Sequence, residues 1–245
     1  MMPDDTPTPR RQFLGQIAAS AAVLAGTAAC AGSLGAVQSA PALRPNPAPP
    51  PPPPGTPEHW DDSWTGRLTA RHKAVFDGPS VEDGVALANA VGYLTGMRDA
   101  LHAATSADAQ AVVVIRHAAV PMLFDDAIWE KYHIGREDKI KNPETDKWAT
   151  TNPFARSDAG SSAADARDAP TPTFSWLSSH GHIVLGCDLA TRGFAHIFAH
   201  RAGADWHAVY EELKANLLPG VILQPNGVYA VHRAQEAGCT YIRSA

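Results

Sequence analysis

The chain has 245 residues, 44% of them hydrophobic and 18% charged, with a formal net charge of -5 at pH 7. This is a globular, mildly acidic composition with no basic stripe that would point to nucleic acid. After residue 40 no apolar run approaches the ~20 residues that a membrane helix needs.

The chain opens with Arg10-Arg11-Gln12-Phe13-Leu14, followed by a hydrophobic run of 13 residues from Ile17 to Ala29. A paired arginine before a short apolar run resembles the bacterial twin-arginine (Tat) export signal. It departs from that pattern at Pro9, where Ser or Thr is usual, and at Gly15, where Lys is common. Residues 1–40 are therefore expected to be a signal region and the mature protein to be periplasmic. Small residues around Cys30 and at Gln38-Ser39-Ala40 offer cleavage points, and a lipid anchor on Cys30 is the second reading. Residues 41–57, with six consecutive prolines from Pro49 to Pro54, form an expected proline-rich linker that cannot build a core.

Residues 58–245 are long enough for one α/β domain. Arg71 to Asp77 reads as a first strand, and Val81, Ala88, Val91, Leu94, Met97 and Leu101 recur at helical spacing behind it. Val112 to Ile115 are four consecutive β-branched residues, the pattern of a strand buried on both faces of a parallel sheet. A helical stretch follows from Met122 to Tyr132. From His133 to Thr173 the pattern loses its period and is expected to be a surface insertion. A short helix precedes a third strand, His182 to Cys187, and two amphipathic helices follow, the second capped by Asp205. Val221 to Leu223 is a fourth strand, Asn226-Gly227 opens a helix that stops at Gly238, and Thr240 to Ile242 is a fifth strand. Strands alternating with helices predict a single three-layer α/β domain with a five-stranded, mainly parallel, Rossmann- or flavodoxin-like sheet.

In such sheets ligands bind at the carboxyl ends of the strands. His117, Cys187 and Asn226 fall there, after the second, third and fourth strands. Cys187 also precedes a helix start, where partial positive charge and free N–H groups favour a thiolate. The competing reading is a cysteine packed as a small hydrophobe, with Asp188 beside it opposing ionisation. A Cys187–Cys239 disulfide is not expected: one ends a strand and the other begins one, ~15 Å apart, and a bridge tolerates ~7 Å between α-carbons. Histidines 196 and 200 are four apart on a helix, but a metal normally needs three or four ligands, so no metal is expected. No phosphate-cradling or dinucleotide motif is present, and no cofactor is expected.

The stretches DGVALANAVGYL, VVVIRHAAV, IVLGCDLA and NLLPGVILQPNGVYAVHRAQEAGCTYIRS resemble the DsrE/DsrF superfamily from about His72 to Arg243, apart from residues 133–173. The resemblance implies sulfur handling: a cysteine at the end of the third strand, matched by Cys187, accepts sulfane sulfur as a persulfide. His117 is then the second catalytic candidate, and Asn226 and Asp188 are the candidate substrate-binding residues. The implied partners are sulfur donor and acceptor proteins or small thiols, and a homo-oligomer is expected. A reading of another class keeps the fold but makes the protein a non-catalytic periplasmic binding or scaffold module, with the histidines holding a metal or small ligand.

Overall fold

A run of β-branched residues at the centre of the chain organises everything else. Every residue of β2 (Ala109–Ile115) is buried, because both of its faces are covered. The structure, a computed structural model, describes residues 59–103, 105–142, 145–155 and 173–245. The expected export signal and proline-rich linker lie outside the described residues.

Four more strands join β2: β1 (His72–Gly78), β3 (Ile183–Cys187), β4 (Val221–Gln224) and β5 (Thr240–Arg243). All pairings are parallel, in the order β4-β3-β2-β1-β5. The helices are α1 (Val85–Leu101), α2 (Asp126–Lys131), α3 (Ile134–Glu137), α4 (Phe174–Ser179), α5 (Asp188–Ala202), α6 (Trp206–Ala215) and α7 (Gly227–Glu236). None of the described helices is long and apolar enough to cross a membrane.

The strand order dictates the layers. From β1 through β4 the chain steps in one direction across the sheet, so right-handed crossovers put the intervening helices on one face. There Phe76, Val113 and Val184 pack with Leu87 of α1, Phe198 of α5 and Leu213 of α6. The return from β4 to β5 runs the other way, which puts α7 on the opposite face. That face is built from Val75, Val112, Val114 and Leu185 against Ala230 and Ala234 of α7, with Trp64 completing it. Trp64 belongs to a 3-10 turn, Ser63–Arg67, that is clasped to the domain: Gln224 Nε2 donates to the Asp61 carbonyl at 2.8 Å, and Tyr229 Oη to Asp62 at 2.8 Å.

Two stretches differ from the sequence expectation. The helix expected from Met122 to Tyr132 is instead a 3-10 segment, His117–Leu123, followed by α2, whose N-cap Asp125 accepts from the Ile128 N–H at 3.1 Å. Pro121 within that segment supplies no N–H, which keeps it from extending as an α-helix. The expected surface insertion also contributes to the core in its described part: Ile134, Ala149, Phe154 and Ala155 are buried. Asn152 replaces periodicity there, its side-chain amide donating to the Met122 and Phe124 carbonyls at 2.7 Å each.

Candidate functional site

The chain leaves β3 for one face of the sheet and leaves β4 for the other. These two carboxyl ends flank the topological switch point of the sheet, the position at which open α/β sheets bind ligands. The two turns stay in contact, since the Leu189 N–H donates to the Pro225 carbonyl at 3.3 Å.

Cys187 stands at this switch point as the N-cap of α5, in extended conformation, and its Sγ accepts from the Ala190 N–H at 3.4 Å. A sulfur that takes the place of a capping oxygen receives both an N–H dipole and the partial positive charge of the helix end. Gly186 lets the strand reach this position, because a Cβ there would stand 2.8 Å from Leu123 Cδ1 and 2.9 Å from Leu223 Cδ2. Cys187 itself is 5% exposed.

The pairing register identifies its neighbours. Gln224 on β4 is paired with Cys187, and Ile115 on β2 is paired with Gly186. Arg116, the extended residue after Ile115, therefore completes a lateral row of Arg116, Cys187 and Gln224. Adjacent strands lie ~4.8 Å apart, so both neighbours flank the cysteine at the level of the backbone. Arg116 Nε and Nη2 donate to the two carboxylate oxygens of Asp77 at 2.6 and 2.9 Å, and Tyr241 Oη donates to Asp77 at 2.9 Å. The Asp77 hydrogen bond is the largest influence holding the guanidinium above its usual range, and the charges of Asp77, Tyr241 and Cys187 add to it. The first residue of α7 presses on the same side chain: a Cβ on Gly227 would stand 2.4 Å from Arg116 Cβ.

The other residues singled out from sequence occupy different positions. Histidine 117 lies beside Arg116 at the carboxyl end of β2, exposed and with a φ of +54°. Asn226 is the N-cap of α7, its Oδ1 accepting from the Tyr229 N–H at 2.9 Å, so its side chain is engaged in the turn. Asp188 is 2% exposed, and its carboxylate accepts from Arg192 Nε at 2.7 Å and from Tyr210 Oη. It is committed to the packing of α5 on α6. Cys239 is free and buried at the start of β5, and burial pushes its thiol up to about 11.

Among the described residues no group of three or more His, Cys, Asp and Glu side chains is placed to hold a metal. His196 stacks on Trp206 at 4.2 Å, and Trp206 also meets His207 at 3.8 Å. Arg116 and Gln224 escaped sequence reasoning because their closeness to Cys187 is a matter of register. The signal available was the residue directly after the β-branched run, one place before the histidine that was chosen.

Fold and site together define an α/β protein with a capped thiol at the sheet's switch point. No family model matches the chain, and neither does any curated protein. Among solved structures it is similar to a protein of unknown function, MTH1491, from Methanobacterium thermoautotrophicum. The identity is 17%, the match covers 70% of this chain and 98% of that one, and the TM-score is 0.37. A likeness this slight has no bearing on the chemistry.

Proposed function

We propose that this is an exported sulfur-handling protein of the DsrE/DsrF type, in which Cys187 carries sulfane sulfur as a persulfide. The observation that supports the reading is the Cys187 Sγ serving as the cap of α5 at the switch point of the sheet. The thiolate attacks the outer sulfur of a donor persulfide, R–S–S⁻. The donor S–S bond breaks, R–S⁻ leaves, and Cys187–S–S⁻ remains. An acceptor thiolate then takes the terminal sulfur and Cys187 returns as thiolate, with no net oxidation. In this reading His117, exposed at the carboxyl end of β2, exchanges the proton of the leaving or incoming thiol. Export follows from the Tat-like start at Arg10-Arg11, with assembly into a homo-oligomer as in the resembled superfamily.

The 5% exposure of Cys187 favours a second reading, a packed thiol in a binding or scaffold module. The two separate on turnover. Protein loaded with polysulfide, freed of excess reagent and treated with dithiothreitol should release one equivalent of sulfide. Cys187→Ser should release none, and Cys239→Ser, which removes a thiol that burial keeps protonated, should behave as the parent protein. Equal release from the parent protein and Cys187→Ser would support the second reading.

A further inference from the structure

The C-terminal half of α5 carries His196 and His200, both exposed. Four residues apart on one helix, they stand one above the other on the same face, with roughly 6 Å between their β-carbons. Several other histidines are engaged: His182 accepts from the Ala111 N–H, His180 Nδ1 lies 2.7 Å from the Trp176 carbonyl, His207 lies 3.6 Å from Asp205 and His232 lies 3.2 Å from Glu236. Among the described residues His196 and His200 have no hydrogen-bond or ion-pair partner. The Trp206 ring stacks on His196 at 4.2 Å and fixes its plane. Stacking uses the face of the imidazole and leaves its nitrogens, which bond in the ring plane, available.

The surroundings suit a cation. The pair lies toward the C-terminal end of α5, where the last main-chain carbonyls carry partial negative charge. The positive charge that follows it, Arg201, is met by Glu137 at 3.2 Å. A closed structural metal site takes four protein ligands, and the described residues form no group of even three. Two imidazoles at this spacing make an open chelate instead, with water in the remaining positions.

We propose that His196 and His200 form a surface chelate for a divalent transition metal of the class that prefers imidazole: copper, nickel or zinc. The site goes beyond the thiol reading above and does not depend on it. Cu2+ binds most tightly in such a nitrogen site, and Ni2+ and Zn2+ follow. Mg2+ and Ca2+, which take oxygen ligands, are not served by this donor set.

The test is calorimetric titration of the full, untagged chain with Ni2+, a probe that does not oxidise thiols. The expected result is one ion per chain, with His196→Asn and His200→Asn each weakening binding about tenfold or more, because losing either imidazole turns a chelate into a single contact. His196→Asn also removes the stack on Trp206, so His200→Asn, which leaves that stack in place, separates metal binding from packing. His102→Asn, at an exposed histidine on the end of α1, and His207→Asn should leave the affinity unchanged. Saturating Ni2+ should also raise the unfolding midpoint of the parent protein and not that of the double variant. A parent chain that binds no Ni2+, or an affinity that survives replacement of both His196 and His200, would overturn the assignment. So would a loss from His102→Asn or His207→Asn as large as that from the pair.

Discussion

Asp188→Ala is expected to lower the unfolding free energy by about 3–5 kcal/mol, because it leaves a buried guanidinium without its carboxylate. Arg192 is 8% exposed and Tyr210 2% exposed, so water cannot replace the lost partner. Tyr210 is bound into the same cluster. Burial first, and the Asp188 hydrogen bond second, push its hydroxyl well above the usual range. The Arg192 guanidinium also lies 4.9 Å from the centre of its ring. Asp188→Asn, which keeps one acceptor and the shape, should cost clearly less. Replacing both members, Asp188→Ala with Arg192→Met, should recover part of the loss, since the buried charge that lost its carboxylate is gone. Urea titration of the four proteins measures this directly. The same series decides what Asp188 is for. A substrate-binding carboxylate would instead cost sulfur transfer with little change in the unfolding midpoint.

Acid is expected to weaken the fold well before the carboxylates protonate. Burial, and then the neighbouring His180, bring the His182 imidazole down to about 4 from an ordinary 6.5. In the unfolded chain the same ring takes up its proton near 6.5, so between these values the unfolded state binds more protons than the folded one. Stability is therefore full above pH 6.5 and is lost as pH falls toward 4, by about 3 kcal/mol over the whole window. The ring is placed to resist charging: Nδ1 accepts from the Ala111 N–H at 3.4 Å, and Trp176 lies against it at 5.8 Å. His182→Asn keeps an acceptor and removes the titration. Its stability should be flat between pH 7 and 5 where that of the parent protein declines. Parallel curves for the two proteins would show that His182 does not carry the effect.

These two residues also mark where sequence reasoning reached and where it stopped. The β-branched run 112–115 and the glycine-bounded strand at Cys187 announce a parallel sheet, because burial on both faces removes polar alternation. The switch from strand to helix at Gly186-Cys187-Asp188 likewise locates the capped thiol. Asp188 was singled out because it follows the cysteine in sequence. In α5 its carboxylate meets the residue four further on, Arg192. Arg116 was passed over for the opposite reason: it is 71 positions from Cys187 and becomes its neighbour only through the β2–β3 register. The stretch from His133 to Ala155 carried no period because Asn152 holds it by hydrogen bonds to main-chain carbonyls, which leave no hydrophobic pattern to read.

The central claim is that Cys187 is a reachable, sulfur-accepting thiolate, and its most direct test is the mass of the intact folded protein after exposure to polysulfide and removal of the excess. The account predicts a gain of one sulfur atom that maps to the peptide containing Cys187, vanishes in Cys187→Ser and survives in Cys239→Ser. An unchanged mass, with a Cys187 that reacts only after unfolding, would contradict it and make the thiol a packing residue at the end of β3.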